Sequence, residues 1–146
     1  MIRLLRMFRR RRPHILVVDD EPDMCWALEN ILSREGYQIT TVTNGKEALE
    51  LAREKRFEVV FIDAKLPDMD GIELSSQIKE INPKAAIVMI SGYFYQEDKA
   101  IEEGLAQGLY AGFISKPFNL DEIRLAAKKA LEVARGRRRL KATLAR

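Results

Sequence analysis

Short apolar runs rich in β-branched residues recur along the chain between longer segments whose apolar positions follow helical spacing. This alternation predicts strands and helices in turn. Residues 15–18, 59–62 and 86–90 are unbroken apolar runs, as expected of parallel strands covered on both faces. Gln38–Val42 is more polar and alternates, which suits an edge strand, and residues 112–114 form a short fifth run ahead of Lys116 and Pro117.

The intervening segments carry helix punctuation. Pro22 suits a first helical turn, Ala27, Leu28, Ile31 and Leu32 form one stripe, and Gly36 follows as a C-terminal cap. Asn44 with Glu47, and Asn119 with Glu122, have the spacing of an N-cap and its reciprocal glutamate. Ile72, Leu74, Ile78 and Ile81 define a helix that ends before Pro83, and Ala100, Ile101 and Leu105 another, weakened by Gly104. Gly71, like Pro67, reads as a turn-former, here through access to positive φ. Five β/α units predict an α/β fold, a flavodoxin-like doubly wound parallel sheet of order 2-1-3-4-5. In such a sheet ligands bind at the carboxyl ends of the strands, where the order reverses between strands 1 and 3.

The residues at those strand ends define the candidate chemistry. Strand 1 runs directly into Asp19, Asp20 and Glu21, and strand 3 ends at Asp63. Three carboxylates from Asp19, Asp20 and Asp63 in one pocket repel one another unless a cation neutralises them, and oxygen-only ligands select a hard divalent ion such as Mg²⁺. Ser91 ends strand 4 and Lys116 follows strand 5. A carboxylate, a dication, a hydroxyl and an ammonium around one point suit phosphoryl transfer to the carboxylate. Glu21 reads instead as a first-turn acid favoured by the helix dipole. His14 reads as a solvated residue at a strand start and Cys25 as a packing residue, while Trp26 is a candidate fluorescent reporter of metal binding.

Length and composition narrow the classes. The 146 residues, 47% hydrophobic and 32% charged, make one domain with its own core and exclude wholesale disorder. A single cysteine excludes a disulfide framework or a four-cysteine zinc site. No apolar run reaches a membrane span, and a soluble, cytoplasmic protein is expected. The net charge of +3 conceals a partition: residues 1–12 and 135–146 each hold six basic groups and no acid. The remaining thirteen basic residues face all 22 acids, a formal −9 over residues 13–134. The reading is a basic N-terminal arm (1–12), a central domain (13–134) and a basic C-terminal extension (135–146) that prolongs the last helix, with Gly136 interrupting it. Because Ile2, Leu4, Leu5, Met7 and Phe8 interleave with arginines, nucleic acid and an anionic membrane are both candidate partners of the arms, beside a plain solubilising role.

Taken together, Ile-Leu-Val-Val-Asp-Asp-Glu-Pro at 15–22, Asp63 followed by Leu-Pro-Asp-Met-Asp-Gly at 66–71, Ile-Ser-Gly at 90–92 and Lys-Pro-Phe at 116–118 resemble the receiver domains of two-component response regulators. The resemblance covers residues 14–134. It implies Asp63 as phosphoacceptor, and Asp20, Asp63 and the Lys65 backbone carbonyl as Mg²⁺ ligands, with Asp19 acting through water. It further implies Ser91 as the switch hydroxyl, Lys116 as the phosphate-pairing cation before a cis proline bond, and Phe113 as the switch aromatic. Implied partners are a histidine kinase or histidine phosphotransfer protein, and a downstream protein docking on the fourth helix, fifth strand and fifth helix; a second copy of the chain is a further candidate. Two features qualify the match. From Ser91 to Lys116 is 25 residues, about three more than the family leads one to expect, and the segment contains Tyr93, Phe94 and Tyr95. Only about twelve residues follow the receiver, so action through the receiver's own surface is expected. An enzyme is not expected: an aspartyl phosphatase places a second aspartate two residues after the first, where this chain has Lys65.

Overall fold

The computed structural model describes residues 12–92 and 95–144; residues 1–11 of the basic arm, and Tyr93 and Phe94, lie outside the described residues. Five strands, β1 (His14–Val18), β2 (Gln38–Val42), β3 (Val59–Asp63), β4 (Ala86–Ser91) and β5 (Gly112–Ser115), form one parallel sheet of order β2-β1-β3-β4-β5. They alternate with five helices, α1 (Pro22–Ser33), α2 (Gly45–Glu54), α3 (Gly71–Ile81), α4 (Tyr95–Ala106) and α5 (Leu120–Leu144). No helix is long and apolar enough to cross a membrane among the described residues.

The period of two along each strand sends alternate side chains into two cores. Leu16, Val18, Val60, Ile62, Ile87 and Met89 pack with α2 and α3, while Ile15, Val17, Val59, Phe61, Val88 and Ile90 pack with α1 and α5. Both faces are covered, which is why the central strands read as unbroken apolar runs. Strand β2 lies at one edge and has the half-buried pattern its alternation predicts.

Helix boundaries follow local chemistry. Pro22 occupies the first turn of α1, and Gly36 takes φ +89° beyond its end. Asn119 Oδ1 accepts the Glu122 amide at the start of α5. At the start of α2, Asn44 Oδ1 accepts the Glu47 amide, and its carbonyl accepts that of Ala48. The two remaining amides, Gly45 and Lys46, donate to Asp68 Oδ1 and Oδ2 at 2.9 Å each, so a residue from the β3–α3 loop completes the cap. Those bonds hold the Asp68 carboxyl below its ordinary pKa. Asp70, in the same loop, caps α3 by accepting the Ile72 amide.

Two glycine expectations change, at Gly71 and Gly136, and a third glycine, Gly104, gains a packing reason. Gly71 has no positive φ: it opens α3 with its amide bonded to the Ala64 carbonyl, and a Cβ there would overlap the Asp63 carbonyl oxygen. Close backbone approach, not turn conformation, requires glycine at this point. Gly104 makes room for the Tyr110 ring, whose hydroxyl lies 3.2 Å from Ser75 Oγ on α3. Gly136 does not interrupt the last helix, which runs on to Leu144.

His14 differs from the solvated residue expected. It is half-buried, its Nε2 lies 2.6 Å from Thr40 Oγ1, and its ring meets Phe57 edge-on with centroids 4.6 Å apart. Burial, then the charge of Lys55, push its pKa below 6.5 against the opposing effect of Glu58. Below 6.5 the unfolded chain therefore binds a proton that the folded protein resists, so stability falls as pH falls through that window. Tm should drop between about pH 7 and pH 5, and His14→Gln should flatten that slope. A slope unaltered by the substitution would place the acid sensitivity in other groups.

Candidate functional site

At the carboxyl edge of the sheet, β1 and β3 are hydrogen-bonded neighbours, so Asp19 and Asp63 leave adjacent strands on the same side. Asp19 is fully buried. Its Oδ1 accepts the Glu21 amide at 2.9 Å, while its Oδ2 accepts no hydrogen bond among the described residues. Burial, and then the negative charge of Asp63, raise its pKa from 3.8 to about 6 despite the Glu21 amide and Lys116.

Asp63 ends β3 with its carboxylate held from two sides. Oδ1 accepts the Lys65 amide at 3.0 Å and Oδ2 accepts Lys116 Nζ at 3.1 Å. The same ammonium lies 3.5 Å from Asp19 Oδ2 and 3.6 Å from Glu21 Oε1. Burial works against charge on Lys116, but Asp19 and Asp63 outweigh it and its pKa rises. Lys116 is placed by its own amide, which donates to the Ser91 carbonyl at 2.8 Å, and is followed by a cis bond to Pro117.

Asp63, Asp19 and Lys116 thus meet. Asp20 is exposed, and its carboxylate clusters with those of Asp19 and Glu21, with one oxygen of each within 4.8 Å of the others. Glu21 belongs to the site more closely than its reading as a helix-start acid implied: it is the N-cap residue of α1 without a side-chain cap bond, and it faces Lys116. Its direct succession to Asp19 and Asp20 was the available signal. A buried carboxylate oxygen without a donor, beside further carboxylates and no nitrogen or sulfur ligand, has the donor chemistry of a hard dication.

Ser91 is buried at the end of β4, one residue beyond the partner of Asp63 in the sheet register, and its Oγ donates to the Gly92 carbonyl at 3.0 Å. Phe113 stands apart from the carboxylates. It is 36% exposed on β5 and lines a cleft of about 320 Å³ with Leu125 and Lys129 of α5. Cys25 is a packing residue: it is buried, and its thiol donates to the Asp19 carbonyl at 3.2 Å. Trp26 on α1 is 68% exposed.

Comparison with known proteins gives a consistent result. The family model described as response regulator receiver domain matches residues 15–128. The sporulation initiation phosphotransferase F of Bacillus subtilis is 37% identical over 117 residues, covering 80% of this chain and 92% of that protein. The transcriptional regulatory protein ZraR of Klebsiella oxytoca is also 37% identical over 117 residues, but the chain spans only 26% of its length. Among solved structures, a CheY-like response regulator receiver domain protein from Methanospirillum hungatei JF-1 superposes with a TM-score of 0.79 at 28% identity, over 87% of this chain and 99% of that one.

Proposed function

This chain belongs to the response regulator receiver domain family, and from that membership we propose that it takes a phosphoryl group onto Asp63 from a phosphohistidine of a kinase or phosphotransfer protein. The observation that carries this reading is the Asp63 carboxylate, held between the Lys65 amide and the Lys116 ammonium with the buried Asp19 beside it. In the transfer, an Asp63 carboxylate oxygen bonds to phosphorus as the phosphorus–nitrogen bond to the donor imidazole breaks. The departing nitrogen keeps the electron pair and takes a proton from solvent, leaving an acyl phosphate on Asp63.

Three groups of this chain support the step. Lys116 pairs with the incoming phosphoryl oxygens, the Lys65 amide orients the carboxylate, and Ser91 donates to the product once its hydroxyl turns from the Gly92 carbonyl. Asp20, Asp63 and the Lys65 carbonyl would hold Mg²⁺, with Asp19 acting through water; when bound, the ion offsets charge on the transferring group. Reorientation of Ser91 and Phe113 changes the surface formed by α4, β5 and α5, which is read by a downstream protein.

Incubation with a small-molecule phosphodonor and Mg²⁺ should raise the intact mass by one phosphoryl group, and chelation of the divalent cation should suppress the change. An unmodified mass under those conditions, with the protein folded, would overturn the reading.

A further inference from the structure

The edge of the sheet opposite Asp63 has the reverse charge. There the α2–β3 and α3–β4 connections flank a cleft of about 430 Å³ that carries Arg53, Lys55, Arg56 and Lys84 against the single acid Glu54. The first three are exposed and Lys84 is half-buried, and none of the four is in an ion pair among the described residues. Glu58, two residues beyond Arg56, is engaged electrostatically with His14.

Both basic ends of the chain meet the domain at this same edge. Arg12 and Pro13 lead into β1 here, with the Pro13 carbonyl accepting the Gln38 amide at the start of β2. From the Asp63 edge, α5 runs back along the sheet, burying Ala127, Ala130 and Ala134. It brings Arg135 close enough to Tyr37, just before β2, to act on its phenol, and then continues to Leu144. The acids Asp19, Asp20, Glu21 and Asp63 occupy one end of the molecule. The cleft cations lie at the other, where Arg12 enters β1 and Arg135 of α5 approaches Tyr37.

We propose that this basic end is a docking surface for an anionic lipid bilayer, with Arg53, Lys55, Arg56 and Lys84 contacting headgroup phosphates. Two features favour a bilayer over nucleic acid. Ile2, Leu4, Leu5, Met7 and Phe8 interleave with the arginines of the first segment; apolar side chains gain by entering the acyl boundary and gain nothing on a phosphodiester backbone. Among the described residues the cleft offers no aromatic face on which bases could stack, since the adjacent Phe57 is buried. Docked this way the protein turns Asp63 away from the bilayer, toward a partner approaching from the aqueous side; that corollary rests on the phosphoacceptor reading, the docking itself does not.

The test uses the full chain in vesicle co-sedimentation, with phosphatidylcholine alone and with added phosphatidylglycerol, and with a DNA duplex as competitor. Binding should require phosphatidylglycerol and fall with added salt. Lys55→Gln with Arg56→Gln should weaken it about tenfold or more, given the attraction of each basic group near an anionic surface, while the variant still takes up phosphoryl groups from a small donor. The proposal is overturned by equal binding to phosphatidylcholine, by a double variant that binds like the parent, by the duplex stripping protein from vesicles, or by no binding at low salt. Loss of labelling with lipid binding intact would instead remove the phosphoacceptor reading alone.

Discussion

Asp63→Asn should abolish phosphoryl uptake, lowering the rate of mass gain with a small-molecule donor by at least about a thousandfold. The amide is nearly isosteric and can still accept the Lys65 amide, but its oxygen has no charge to form the bond to phosphorus. The fold should not suffer, because the substitution removes the acid whose charge, after burial, helps raise the Asp19 pKa to about 6. Thermal unfolding of the variant should therefore match the parent or lie above it. Asp20→Asn is the informative companion: it leaves the acceptor in place and removes a carboxylate assigned to the cation, so uptake should persist slowly with a weakened response to Mg²⁺. If Asp63→Asn labels as fast as the parent, the acceptor has been misassigned, whatever the second variant does.

The largest stability effect is expected from Gly71→Ala. An added methyl would overlap the Asp63 carbonyl oxygen and come within 2.9 Å of Ala64 Cα. Both obstacles are backbone, at the end of a fully buried strand, and neither can swing aside. Alanine's better helix propensity recovers at most about 1 kcal/mol, against a steric cost of about 3 kcal/mol or more. The net loss should be about 2–3 kcal/mol, a fall in Tm of roughly 10 °C. Because the atom that must move is the acceptor's own carbonyl, phosphoryl uptake should slow as well. The same substitution at Gly136, where a Cβ meets nothing within 4 Å inside α5, should be stabilising by about 0.5–1 kcal/mol. Equal Tm changes for the two variants would show that propensity, not contact with Asp63, governs Gly71.

The sheet and the acidic carboxyl edge were legible because each depends on nearest neighbours in sequence. An apolar run of four or five residues states that a strand is covered on both faces, and the polar residue that ends it must emerge at the carboxyl edge. That logic reaches Asp19, Asp63, Ser91 and Lys116 without coordinates. It does not reach relations between distant segments. The role of Asp68 depends on where the β3–α3 loop lies relative to α2, 22 and 23 residues away in sequence, and the Gly71 requirement depends on the loop folding back onto Asp63. Glycine's identity is compatible with both positive φ and close approach, and sequence alone favoured the wrong one. His14 was misjudged for a related reason: its partners Thr40 and Phe57 are brought to it by β2 and by the turn before β3.

The borrowed cap on α2 has a consequence for the order in which the chain can mature. A ribosome delivers residues 45–54 well before residue 68, so for that interval the emerging helix has only Asn44 to satisfy its leading amides. Its first turn can lock only after β3 and the loop beyond it have been synthesised. A nascent chain halted short of that point should hold a frayed helix that the finished protein does not.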